Sequence, residues 1–206
     1  MSAHPITTTN TSLEWGTASM PMPGESVLGD RAVVDFAAQH VLLAVIDGVG
    51  HGPEAAAAAR HAADTLTGSE PDVATAVLEC HRVLAHTRGA ALSLASIDGR
   101  EHTLTWLGIG NVESRLLHGG DLIPVSESLL LHTGVIGHEL PRLAPQTLPL
   151  TRGDILIFAT DGIRRDFADD LLPRGSCHDI ADRILRESAL GTDDALVLVA
   201  RYLARA

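Results

Sequence analysis

The sequence predicts an α+β domain of two antiparallel β-sheets flanked by helices, and three observations carry that prediction. The six apolar residues Val41–Ile46 run directly into Asp47 and a glycine-rich turn, Gly48, Gly50 and Gly52, after which Pro53 and Glu54 open an alanine-rich stretch. An unbroken apolar run of that length suits a strand covered on both faces, and proline and an acid suit the first turn of a helix. The same order returns near the C-terminus, where Ile155–Ala159 delivers Thr160-Asp161-Gly162, and Asp193-Asp194 stands directly before the apolar run Ala195–Ala200. Between these points, residues 90–125 divide into strand-length segments joined by turns too short for anything but antiparallel pairing.

Taken in order, residues 1–11 are a polar, flexible end and 12–206 form one domain. Ser12–Met20 is a first strand, broken by Pro21-Met22-Pro23-Gly24. Arg31–Ala38, after Gly29-Asp30, forms a hairpin with Val41–Ile46 through a turn near Gln39-His40. Pro53–Thr67 is a helix stopped by Gly68. Ser69-Glu70-Pro71-Asp72 has the capping-box pattern for a second helix reaching about Thr87, with Val73, Val77, Cys80 and Leu84 as its apolar face.

Strands then follow at Ala90–Ile97, His102–Ile109, Val112–Leu117 and Leu122–Val125, a meander turned at Asp98-Gly99, Gly110-Asn111 and Gly119-Gly120-Asp121, with Leu104 and Trp106 on differing faces. Residues 126–150, rich in glycine and proline, read as a structured loop. Gly153-Asp154 turns into the strand Ile155–Ala159. Residues 163–172 form a short helix ended by Pro173, Ser176-Cys177-His178-Asp179 boxes a helix to about Leu190, and Ala195–Leu203 is the last strand.

Composition narrows the function. At 206 residues the chain has room for a sizeable core. A net charge of −11 argues against a nucleic-acid or anionic-membrane partner, both of which need clustered basic charge. All 15 basic residues are arginine, so neither a Schiff base nor a P-loop lysine is available. Cys80 and Cys177 are isolated in predicted helices, as reduced structural thiols of a cytosolic protein are. The N-terminus is not a secretory signal, and no apolar run approaches the ~20 residues of a spanning helix. The eleven histidines show no metal-binding spacing.

Asp47, Asp161 and Asp193 or Asp194 are far apart in sequence and converge only if their strands are neighbours. Carboxylates with backbone carbonyls suit Mg or Mn rather than Zn or Cu. Two such ions ~3.5–4 Å apart can hold an acidified bridging water and neutralise phosphoryl oxygens, which suits a chain with no nucleophile motif. An Asp-Gly step alone is only a turn signal, Asp98-Gly99 being the example here.

The ordered set Gly29-Asp30, DGVGHG at 47–52, GIGN at 108–111, GDILIFATDG at 153–162 and TDDALVLV at 192–199 resembles the bacterial metal-dependent Ser/Thr protein phosphatases of the PPM class, above all the stage II sporulation E-type enzymes. The short stand-alone form and RGAALSLASID at 88–98 are similar to the feedback phosphatases of the stressosome. The resemblance spans about residues 12–203. It implies a four-layer α/β/β/α sandwich and two Mn2+ or Mg2+ ions. Asp47 would bridge both ions, the Gly48 carbonyl would bind one, and Asp161 and Asp193 would complete the ligands. Asp194 would stand behind Asp193, and Asp30 would hold a metal-bound water or ligand.

Two positions depart from the family: Leu196 stands where Ser or Thr is frequent, and Val49 stands where larger relatives have His, with His51 two residues on. No N-terminal arginine matches that of larger relatives, which leaves Arg88 and Arg31 as candidates for phosphate contact. The implied function is a cytoplasmic serine/threonine phosphatase acting on a phosphorylated protein of a bacterial stress pathway, a stressosome scaffold or anti-sigma antagonist. The alternatives are a non-catalytic phosphoprotein-binding module, for which Leu196 is the support, and a hydrolase of small phosphate esters. Four acids in one place repel one another without a cation, which favours the enzyme.

Overall fold

Strand alternation explains how the layers form. The computed structural model describes residues 9–10, 12–37, 40–68, 72–119, 126–169 and 171–204. The expectations for residues 1–8, for the turn at Gln39, for a helix cap at Ser69 and for a strand at 122–125 lie outside these residues. The first strands are β1 (Thr9–Asn10), β2 (Leu13–Met20), β3 (Asp30–Phe36) and β4 (His40–Gly48). In β4, Val41, Leu43 and Val45 face one apolar cluster while Leu42, Ala44 and Ile46 face another. The first cluster lies between two sheets and the second lies under helices, so an unbroken apolar run is what this strand needs.

Helix α1 (Gly52–Leu66) begins on His51, with proline in its first turn. It is rich in alanine because it lies close to β4: a Cβ built on Gly48 would stand 2.2 Å from the Ala55 carbonyl oxygen. Helix α2 (Val73–Leu84) is capped by Asp72, whose side chain accepts from the Thr75 amide at 2.7 Å. It stops three residues earlier than the sequence suggests, at a turn over residues 85–86. Val73, Val77, Cys80 and Leu84 are buried together, as their spacing implies.

The meander expectation fails after two strands. β5 (Ala90–Asp98) and β6 (Thr103–Ile109) pair antiparallel, and Leu104 and Trp106 share the inter-sheet face rather than differing, as period-two alternation demands. The next strand, β7 (Glu113–Leu117), belongs to the other sheet. Gly110, at φ 96°, supplies the sharp departure between them. Residues 126–150 contain three short strands, β8 (Ser126–Ser128), β9 (Leu131–His132) and β10 (Gln146–Pro149). Each exists through a distant partner: β8 pairs with β7, β9 runs parallel to β6 and β10 lies antiparallel to it.

The chain then forms β11 (Ile155–Ala159), α3 (Cys177–Ser188) and β12 (Ala195–Tyr202). The capping box at Ser176 and Asp179 is present. The short helix expected within 163–172 is absent among the described residues, where separate turns such as Phe167 N–H to Arg164 O and Asp169 N–H to Asp166 O take its place. One sheet has the order β1-β2-β12-β11-β7-β8 and the other β10-β6-β5-β4-β3. Leu156, Phe158, Leu196 and Leu198 fill the seam between them, and Ile157, Val197 and Val199 pack towards α3. The result is the layer order α1/α2, sheet, sheet, α3. No helix among the described residues is long and apolar enough to cross a membrane.

Candidate active site

Four strand ends meet at one edge of the seam. The β3–β4 hairpin sets Asp30 directly opposite Asp47 in register, and both point inward with Ala32 and Val45. From the other sheet, Asp161 follows β11 and Asp193-Asp194 precede β12. The two Asp-Gly steps share a local reason. Gly48 lets α1 approach β4, and Gly162 lies so close to the Asp194 backbone that a Cβ would stand 2.0 Å from the Asp194 carbonyl oxygen. Gly162 therefore brings Asp161 up to the acidic pair.

Four of the five acids accept a hydrogen bond of measured length. Thr160 Oγ1 donates to Asp30 Oδ2 at 2.8 Å, and the same oxygen accepts from the Leu196 amide at 2.9 Å, which ties the sheets together across the seam. Asn111 Nδ2 donates to Asp161 Oδ2 at 2.6 Å. Asp194 accepts from the amides of Met22 and Gly29 at 2.8 and 2.9 Å, one on each carboxylate oxygen. Asp193 accepts from the Asp194 amide at 2.8 Å. Asp194 thus ties both ends of the 21–29 loop to the start of β12.

The electrostatics are those of anions crowded together. Burial, then the charge of Asp47, raises the Asp30 carboxyl to about 8. Burial, then Asp161 and Asp193, raises Asp47 to about 7. Asp161 stands at the exposed rim, and the protein around it still pushes its carboxyl upward, against the pull of the Asn111 amide.

An all-oxygen set of mutually repelling carboxylates fits a hard divalent cation. So does Asn111 Oδ1, a buried acceptor with no partner among the described residues. No three Asp, Glu, His or Cys side chains among the described residues are yet arranged as ligands of one ion. The acids are near enough to feel one another, and Asp30, Asp161, Asp193 and Asp194 are each held by a donor.

The sign of the pH dependence follows. Asp30 titrates near 8 when folded and near its ordinary 3.8 when unfolded. Between those values the folded state holds a proton that the unfolded state has lost. The metal-free protein should therefore lose stability as pH rises from about 4 to about 8, with Asp47 acting in the same sense up to about 7. Thermal melts in chelator across this range measure the slope, and Mn2+ or Mg2+ should flatten it. A metal-free melting temperature that rises over this range would contradict the crowded-anion description.

Other residues fall beside the site or away from it. His51 Nδ1 is 2.7 Å from Glu25 Oε1 at the mouth of α1 and is half exposed. Arg31 lies on the strand face opposite Asp30, so it is not aimed into the cluster. Arg88 is ion-paired with Glu54. Leu196 is buried in the seam and meets the site through its backbone: its amide donates to Thr160 Oγ1 and its carbonyl accepts from the Thr160 amide at 3.1 Å. Thr160 and Asn111 are the residues that sequence reasoning did not single out. Both lie within recognised motifs, but their bonds to acids 130 and 50 positions away leave no local trace.

Comparison with known proteins adds the family context. A profile of the stage II sporulation protein E (SpoIIE) family matches residues 37–203. Phosphoserine phosphatase RsbX of Bacillus subtilis (strain 168) is 25% identical over 177 residues, 83% of this chain and 85% of that protein. The crystal structure of RsbX in complex with magnesium superposes with a TM-score of 0.84 at 22% identity, over 97% of this chain and 100% of that one. A structure from a study of the bacterial stressosome, as a modular system adapted to control secondary messenger signalling, superposes at 0.83 with 29% identity, over 92% of this chain and 99% of that one.

Proposed function

The chain belongs to the SpoIIE family of PP2C-type serine/threonine phosphatase domains, and from that premise we propose that it is a Mn2+- or Mg2+-dependent phosphatase acting on phosphoserine or phosphothreonine of a bacterial stress-signalling protein. The observation that carries the reading is the Asp30–Asp47 pair of one sheet meeting Asp161 and Asp193 of the other, with Asp47 raised by burial and then by the charges of Asp161 and Asp193.

Asp47, Asp161, Asp193 and the Gly48 carbonyl would hold two divalent ions, which supply an acidified water and positive charge for the phosphoryl oxygens. The residues of the chain do the rest. Thr160 engages Asp30 Oδ2, which leaves Oδ1 to orient a water or ligand. Asn111 aligns the Asp161 carboxylate, and Asp194 keeps the 21–29 loop closed over this edge of the seam. The phosphoserine phosphatase RsbX and the stressosome-related structure suggest the substrate class: a phosphorylated stressosome scaffold or anti-sigma antagonist, met in the cytoplasm.

The test is phosphate release from phosphoserine and phosphothreonine peptides with Mn2+, with Mg2+ and with chelator. Release with either metal and none in chelator is expected. Turnover undiminished by chelator would refute the metal dependence, and faster hydrolysis of small esters than of every phosphopeptide would move the reading to a small-molecule hydrolase.

A further inference from the structure

We propose that a groove beside the carboxylate cluster, between α1 and the connection from α2 to β5, is a substrate subsite that takes an acidic side chain flanking the phosphorylated residue; this rests on the phosphatase reading. The groove encloses about 390 Å³, a volume in the range of sites that hold ligands. Its floor is Ala57 and Ala58, small enough to admit a peptide backbone. His61 and His86 flank it, and each imidazole has an N–H to donate. Arg88 and Glu54 close its inner end as an ion pair.

That inner end lies at the turn leading out of Asp47-Gly48. The Arg88 guanidinium lies over the turn that follows Asp47-Gly48, for a Cβ on Gly50 would stand 2.9 Å from its Nη1. The Val49 amide donates to the Gly89 carbonyl at 3.1 Å, which fixes the groove to the same turn. A substrate whose phosphoserine reaches Asp47 therefore has a neighbouring residue at Arg88.

Charge decides which residue is accepted. The chain carries −11, so an acidic peptide meets repulsion from most of the surface and needs a local cation. The Arg88 and Glu54 side chains are 48% and 69% exposed. An ion pair so exposed contributes little, so exchanging Glu54 for a substrate carboxylate costs little. The released Glu54 returns to water at the first turn of α1, where an acid is favourable.

The experiment uses phosphoserine peptides alike except for Glu, Gln or Arg beside the phosphoserine. It measures kcat and KM for the wild type, Arg88→Gln, Glu54→Gln and Ala57→Glu, and affinity by anisotropy of the same labelled peptides on Asp161→Asn. The wild type should favour the Glu peptide over the Arg peptide by about ten-fold, mainly in KM, and Arg88→Gln and Ala57→Glu should bring that ratio within about two-fold. Glu54→Gln should enlarge it.

Equal efficiencies in the wild type, or a ratio that survives Arg88→Gln, would overturn the subsite while leaving the phosphatase standing. A fall in kcat of the same size for every peptide and for para-nitrophenyl phosphate in Arg88→Gln would also overturn it, since the guanidinium would then serve the phosphoryl group. Charge-dependent binding to Asp161→Asn, with no turnover by the wild type, would keep the subsite and sink the phosphatase reading.

Discussion

Asp47→Asn loses about 10²- to 10³-fold in turnover, on the scale of removing one principal group that stabilises developing charge, yet its metal-free form melts higher than wild type at pH 8. The two outcomes have one cause. Asp47 is pushed up to about 7 by burial and by Asp161 and Asp193, so at pH 8 its charge opposes the fold. Asparagine keeps the shape and removes that charge. It also relieves Asp30, whose largest source of repulsion after burial is Asp47. An ordinary core defect would lower activity and stability together. Melting curves in chelator beside steady-state rates in Mn2+ separate the cases, and wild-type turnover in Asp47→Asn would end the metal-site reading.

Gly162→Ala should destabilise the fold by about 3 kcal/mol or more, because the added methyl has no room and its neighbours are backbone. It would meet the Asp194 carbonyl oxygen at 2.0 Å, the Asp194 carbonyl carbon at 2.8 Å and the Ala195 Cα at 3.1 Å. None of these can swing aside as a flexible side chain could. The shift needed moves Asp161 away from Asp193 and Asp194, and a displacement near 1 Å in such a site costs on the order of 10²-fold in rate. Gly191 is the control. Its φ is 69° and a Cβ there meets nothing within 4 Å, so Gly191→Ala should cost only the ~1 kcal/mol of a left-handed alanine. Urea titrations of both variants test the contrast, and equal losses would show that space at Gly162 is not the issue.

What could be read from the sequence was what the sequence encodes locally. Val41–Ile46 and Ala195–Ala200 are apolar on both faces and became strands covered on both faces. Ser176 and Asp179 cap a helix because each reaches a group three residues away. The acids stood out because each ends such a run. What failed depended on distant partners. Nothing between Ile109 and Glu113 says that the chain changes sheets, since β7 is defined by pairing with β11, some forty residues later. β10 exists because Gln146–Pro149 meets Trp106–Thr103. Turns replaced a helix after Ile163 because the Arg164 amide donates to the Ser188 carbonyl, at the end of α3. The same holds within the site: Thr160 reads as a spacer before Asp161 until Asp30 arrives from the other sheet.

The position of β12 sets when the cluster of acids can assemble. This strand is not at an edge; it separates β2 from β11 and pairs with both. Asp193 and Asp194 immediately precede it. During synthesis the helices α1 and α2 and the sheet from β3 to β6 can assemble early, since their partners are near in sequence. The opposite sheet stays split, with the flanks of β2 and β11 open, until residues 195–202 leave the ribosome. A nascent chain in that state lacks two of its acids and the anchor for the 21–29 loop. It exposes strand edges prone to aggregation. β12 both completes the carboxylate edge and seals the chain against its neighbours, so the cluster of acids and protection from aggregation arrive in one step.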